Sequence, residues 1–330
     1  MPDVAVIIPV HNAGATLGET LDSLRLQRTD PGTGARVDLE VVVIDDRSTD
    51  DGPALARAHP LVTRVITSPA PGISPARNEG VRASQAPSVV FLDGDDLLLP
   101  GCLPRRLARA RQEEAHDDGA VIFGRNVERW GPLDKPAALR ALGEPRATLL
   151  RGNLLPPCAG LVSRRLLERV EGPFTEGLFS FEDWDLWLRL AFAGTRFVLL
   201  DEVDCVYRMR SEMMNHRPRA VGFALEVVDR IEPLVRAAPD ARTLLPLLQR
   251  TRMELLLWRA SFDYRARDAS AVAHDLLEAG RASPRDVGRI PLHLLRRAWS
   301  HARRSAEARR VFGAGTTSPA ARQQPVPDRR

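Results

Sequence analysis

The chain's 330 residues are 44% hydrophobic and 27% charged, with a formal net charge of +4. That is the make-up of a globular protein with one large core and a smaller annex, and no apolar run approaches the ~20 residues of a membrane span. The charge is lopsided: residues 281–330 hold 12 arginines against 3 acids, so that end carries +9 and the first 280 residues −5. A net-negative main body argues against nucleic acid as a partner. Lys135 is the sole lysine and no GxxxxGK[ST] occurs, which removes a P-loop and most lysine-based chemistry. Three widely spaced cysteines, Cys102, Cys158 and Cys205, form neither a disulfide framework nor a zinc knuckle and read as small buried residues.

VAVIIPV (4–10) predicts a buried strand. It is too short and its flank too uncharged for a secretory signal, so a cytoplasmic protein is expected. Thr16 then stands as N-cap of a helix with Leu17, Leu21 and Leu24 at helical spacing. EVVVIDD (40–46), an Ala-rich helix after Asp51, VTRVITS (62–68), a helix around Ala76–Ala83 and SVVFLDG (88–94) follow. Apolar strands separated by helices predict an α/β fold with a parallel sheet buried on both faces, whose ligands bind beyond the carboxyl ends of the strands. AVIFG (120–124) and RFVLLDE (196–202) read as short strands. SFEDWDLWLRLAFAG (180–194) reads as a helix with Trp184, Leu188 and Ala191 on one face, ended by Gly194. Residues 216–312 form a helical annex to a first domain of residues 1–215, and residues 313–330 lack apolar periodicity and read as a disordered tail. Within the annex, residues 289–312 align Leu295, Trp299, Ala302 and Ala306 amid arginines. That segment either packs on the annex with its arginines solvated or lies on an anionic membrane surface, where a lipid-linked acceptor would be met.

Chemistry concentrates at the expected strand ends. Asp93, Asp95 and Asp96 in LDGDDL make a hard-oxygen site suited to Mg²⁺ or Mn²⁺ held together with substrate phosphates; the competing reading is a polar turn in which Asp96 caps the next helix. Asp45 and Asp46 end a second strand, where a carboxylate can accept the imide N–H of a pyrimidine, with Asn12 and main-chain groups of Pro9, Val10 and His11 lining the same pocket. The alternative for DDRSTD is a turn with Ser48 or Asp50 capping a helix. Arg77 and Asn78 open a helix that could face phosphate, or Arg77 is a solvated charge. Glu182, Asp183 and Asp185 either complement a helix dipole or supply, in Asp183, a general base for an attacking hydroxyl.

Together VAVIIPVHNAGATLGETLDSL, EVVVIDDRSTDDG, GISPARNEGVRAS, VVFLDGDDLLLP and GLVSRRLLERVEGPF…FEDWDLWLRLAFAG resemble the family 2 glycosyltransferases with the GT-A fold, over about residues 3–212. The resemblance implies a Rossmann-like, mostly parallel sheet flanked by helices, a nucleotide-sugar donor, most often UDP-linked, and transfer with inversion by direct displacement. It makes Asp46 the base-recognising acid, Arg77 a nucleotide contact, Asp95 a ribose or metal contact, Asp96 the main metal ligand and Asp183 the catalytic base. The acceptor would be a glycan, a lipid-linked molecule or a small molecule. A glycine usual in the family is replaced by Arg47, and the place of a metal-reaching histidine is taken by Arg210, with His216 the nearest histidine. The QxxRW motif of processive synthases is missing, which implies transfer of one sugar per encounter. Metal-dependent nucleotidyl or phosphoryl transfer and non-catalytic nucleotide-sugar binding remain the alternatives.

Overall fold

Seven consecutive buried residues make β1 (Val4–Val10) the middle of a sheet covered on both faces. The computed structural model describes residues 1–29, 32, 34, 36–114, 119–131, 133–136, 142–209 and 217–289. Beside β1 run β2 (Leu39–Asp45) on one side and β4 (Ser88–Phe91) on the other, both parallel to it, with Ile7 opposite Val42 and Phe91. The strand β3 (Val62–Thr67) adds in parallel to β2. The sequence predicts burial on both faces, but as the sheet edge it has only half-buried and exposed residues.

Beyond β4 the direction reverses. β8 (Gly160–Ser163) is antiparallel to β4 and to β6 (Ala120–Trp130), and β9 (Arg196–Arg208) runs parallel to β6. A two-residue strand, β5 (Leu97–Leu98), pairs antiparallel with β9, and β7 (Leu133–Pro136) folds back on β6. Both β6 and β9 outrun the sequence expectation, because their outer halves carry polar residues and shift register around Phe123–Arg125. Among the described residues the sheet order is β3-β2-β1-β4-β8-β6-β9-β5.

The helices α1 (Gly14–Ser23), α2 (Gly52–Ala58), α3 (Ile73–Ala83) and α4 (Cys102–Glu114) connect the strands of the first half. Thr16 is not the cap of α1: Ala13 holds that position, and the Thr16 hydroxyl donates to the carbonyls of Ala13 and Gly94 instead. α3 can lie close on β1 because Gly80 has no Cβ, which would collide with Ile7. After α5 (Pro145–Leu149) and α6 (Arg164–Leu167), α7 (Glu182–Phe192) crosses the site, ending before the left-handed Gly194. It was read as one-faced, yet every residue from Glu182 to Leu188 is buried, since sheet, loops and later helices enclose it. Those later helices are α8 (Arg217–Ala237), α9 (Ala241–Arg265) and α10 (Ala269–Ala282). Their apolar residues join the same core as the sheet, and Thr251 of α9 donates to the Leu150 carbonyl at 2.6 Å. All three cysteines are buried and free. No helix among the described residues is long and apolar enough to cross a membrane. The segment 290–312, the tail, Arg210 and His216 lie outside the described residues.

Candidate active site

At the carboxyl ends of β1 and β2 the chain turns through two left-handed residues, Asn12 (φ 52°) and Arg47 (φ 57°). Asparagine tolerates that region; arginine does so at a cost of about 1–2 kcal/mol. The two turns are laced together. Asn12 Oδ1 accepts from the Thr49 N–H at 2.8 Å and the Asn12 N–H donates to the Ser48 hydroxyl, while His11 Nδ1 lies 2.6 Å from the Asp46 carbonyl. His11 and Asn12 thus stand exposed at the rim, bonded to the DDRST turn and, through His11 Nε2 and Asn12 Nδ2 at 3.3 Å, to each other. Behind them, the Val10 carbonyl accepts from Asp46 N–H at 2.8 Å, and the Pro9 carbonyl faces Gly94. Pro9 and Val10 therefore shape the pocket from below. The carboxylate of Asp46 accepts from Gly72 N–H at 2.8 Å on Oδ2 and from Arg47 at 3.1 Å on Oδ1. Asp50, and not its neighbour Ser48, meets the N-terminal end of α2, accepting from the N–H groups of Gly52 and Gly14.

The acidic loop follows β4. Asp96 is no helix cap: its Oδ1 accepts from the Arg208 N–H at 2.9 Å, across the sheet from β9, and its buried Oδ2 has no partner among the described residues. Burial, then the charges of Asp93 and Asp95, push the Asp96 carboxyl well above the usual range. A buried carboxylate among like charges with an orphaned oxygen fits a cation. Among the described residues no three His, Cys, Asp or Glu form a preformed metal cage, so the fit is to an ion such as Mg²⁺ or Mn²⁺ that takes one or two carboxylates and fills its other positions with water and phosphate.

Of the two readings of Arg77, the solvated charge is overturned, because the side chain has no contact with solvent. It is fully buried in α3, donating to Asp93 at 2.6 Å and to Glu182 of α7, with its guanidinium 5.1 Å from the Phe174 ring. Burial alone would lower its pKa, but the charges of Asp93, Glu182 and Asp183 raise it above its ordinary value. The cation therefore ties the acidic loop to α7.

On α7 the three acids divide. Asp185 is fully buried and saturated by the Thr175 hydroxyl, Arg189 and Arg230, which makes it scaffold for the 171–175 loop. Asp183 accepts from the Asn153 amide at 2.9 and 3.0 Å and from the Trp184 N–H at 2.8 Å. Its pKa is raised to about 7 by burial and by the Glu182 charge, against the pull of Asn153, Arg77 and the Trp184 N–H. The Tyr207 phenol of β9, half-buried, is pushed up by burial and then by the charges of Asp96, Asp93 and Asp183. Asp183 and the acidic loop thus converge on one place. Asp46 lies at its own strand end, linked to Gly72, whose backbone is covered by the Phe179 ring. Sequence reasoning missed Tyr207, Asn153 and the bridging role of Glu182.

A mixed sheet, parallel from β3 to β4, switched to antiparallel pairing beyond β4 and bearing acids at the carboxyl ends of its parallel strands, is the architecture of GT-A proteins. The model described as glycosyl transferase family 2 matches residues 5–170, and the chain belongs to that family. It is 28% identical over 236 residues to the succinoglycan biosynthesis protein ExoU of Rhizobium meliloti, covering 66% of each chain. To the uncharacterized glycosyltransferase EpsJ of Bacillus subtilis it is 25% identical over 231 residues, 66% of this chain and 64% of that one. The chain thus spans just under two-thirds of the length of these curated relatives. Among solved structures, S. aureus TarS 1-349 in complex with UDP-GlcNAc superposes with a TM-score of 0.61 at 18% identity, over 84% of this chain and 91% of that one. Mannosyltransferase PcManGT from Pyrobaculum calidifontis, in complex with GDP-Man and Mn2+, gives 0.58 at 21% identity over 96% and 90%.

Proposed function

We propose that the protein is an inverting glycosyltransferase that moves one sugar from a nucleotide-sugar donor to an acceptor hydroxyl. The observation that carries this reading is the convergence of Asp183, whose pKa is raised to about 7, with the acidic loop around Arg77 and Tyr207. A base with a pKa near the working pH is half ionised there and able to take a proton as a bond forms. In the proposed step the acceptor oxygen bonds to the anomeric carbon as the bond to the diphosphate oxygen breaks, and the hydroxyl proton passes to the Asp183 carboxylate. Asp95 and Asp96 would hold a divalent ion, Mg²⁺ or Mn²⁺, which when bound supplies Lewis-acid stabilisation to the departing diphosphate. Asp46 receives the base, with His11, Asn12 and the Pro9–Val10 backbone supporting its turn. Arg77 acts indirectly, by keeping Asp93 and Glu182 in place.

The nucleotide-sugar complexes of TarS and PcManGT support a donor of this class, UDP- or GDP-linked. The test is a panel of nucleotide sugars assayed with Mn²⁺ or Mg²⁺ for release of UDP or GDP, which reports the donor through slow hydrolysis before the acceptor is identified. Metal-dependent release of nucleoside diphosphate supports the reading. Pyrophosphate or inorganic phosphate with no nucleoside diphosphate would place the chain among nucleotidyl or phosphoryl transferases.

A further inference from the structure

We propose that Asn153 is a positioning residue for Asp183 and that Asp183 Oδ2 is the atom that receives the acceptor's proton. This rests on the reading of Asp183 as the base. Asp183 Oδ1 accepts two hydrogen bonds, from Asn153 at 2.9 Å and from the Trp184 N–H at 2.8 Å, whereas Oδ2 accepts only the 3.0 Å bond from Asn153 among the described residues. With two lone pairs on each oxygen, Oδ1 is filled and Oδ2 keeps one open.

Asn153 is itself exposed, yet its amide turns inward to a buried carboxylate. Its loop is held from both sides by the helix that carries the base. The Trp184 indole N–H donates to the Leu149 carbonyl at 2.8 Å and the Trp187 indole N–H to the Leu155 carbonyl at 2.9 Å. From the other direction Thr251 of α9 holds the Leu150 carbonyl. Gly152, at φ 144°, supplies the backbone bend that a side chain would resist. An exposed asparagine free in solvent would gain nothing from such a mount. Donation to the charged form of Asp183 lowers its proton affinity against the effects of burial and Glu182, so Asn153 increases the ionised share of the base at neutral pH while fixing which oxygen is open.

The experiment compares wild type with Asn153→Ala and Asn153→Asp in hydrolysis of UDP-N-acetylglucosamine and GDP-mannose across pH. Loss of the two bonds that Asn153 makes to a charged group moves the midpoint of the rising limb up by at least about one unit, so the rate well below the midpoint falls at least about tenfold and recovers on the alkaline plateau. Asn153→Asp, which adds a like charge, moves it further. A rate lowered equally at every pH, with the midpoint unmoved, overturns the proposal. A second readout needs no turnover: the fall in urea-unfolding stability between mildly acidic and mildly alkaline buffer grows in Asn153→Ala, and an unchanged fall counts against the proposal. Failure of both variants to fold also overturns it, because an exposed side chain that serves only Asp183 is not needed for folding. If Asp183→Asn hydrolyses donor at the wild-type rate, the base assignment itself is wrong; if it is inactive while the Asn153→Ala profile stays put, only the role of Asn153 falls.

Discussion

Replacing Asp183 by asparagine is expected to stabilise the protein at alkaline pH while abolishing transfer. The carboxyl is moved from an ordinary 3.8 to about 7 by burial and the Glu182 charge, a difference of roughly 4 kcal/mol in free energy between its charged and neutral forms. The sign follows from linkage: with the folded pKa raised, the group's contribution is fully present below 3.8 and is lost as pH rises through about 7. Asparagine is neutral at every pH and keeps an oxygen for the Trp184 N–H, but its own amide meets the Asn153 amide, and a lost hydrogen bond costs about 0.5–1.5 kcal/mol. Net gain at alkaline pH is therefore about 2–3 kcal/mol, vanishing or reversing in acid. Urea unfolding at a series of pH values measures it: wild-type stability should decline across neutrality where that of Asp183→Asn does not. A variant that is no more stable than wild type in alkaline buffer, or that keeps the wild-type decline, would refute the account of Asp183 as a strained buried carboxylate.

Arg77→Met leaves the half-buried Asp93 and the buried Glu182 without their cation and should cost about 3–5 kcal/mol in urea unfolding; adding Glu182→Gln should return part of that loss, because the two sites are in direct contact. Arg47→Gly relieves a left-handed non-glycine backbone and should raise stability by roughly 0.5–1 kcal/mol in the same assay, after allowance for the entropy of glycine in the unfolded chain. Asp96→Asn removes the ionisable carboxyl with the orphaned oxygen. Mn²⁺ added with UDP should raise the unfolding temperature of wild type, by about 2.7 kcal/mol of stabilisation at a hundredfold excess over Kd, and leave this variant unmoved.

The first half of the sheet was legible because β1, β2 and β4 are runs of consecutive apolar residues, a pattern that a strand covered on both faces must show. The outer halves of β6 and β9 were not, since Arg125, Asn126 and Glu128 interrupt the pattern at a register shift that only the partner strand explains. The acids were found as residues but not as an arrangement. Nothing in GISPARNEG distinguishes an arginine in water from one fully buried between two carboxylates, because the Glu182 partner lies 105 positions away. Asp96 looked like a helix cap for the same reason: the N–H it serves belongs to Arg208, on a strand that arrives much later in the chain. Asn153 sits in a turn-like GNLLPP stretch whose importance comes wholly from the two indoles that grip its flanks.

Those two indole bonds divide the site into parts that can and cannot shift independently. Asp183 and the Asn153 amide ride on one mount, so a small slide of α7 across the sheet carries both together and keeps the hydrogen bonds between them. The spacing between that mount and the acids following β4 is spanned by the buried side chain of Arg77. Under the proposed function, breathing of the protein would thus alter how far Asp183 stands from the acids following β4 while its hydrogen bonds to Asn153 stay in place.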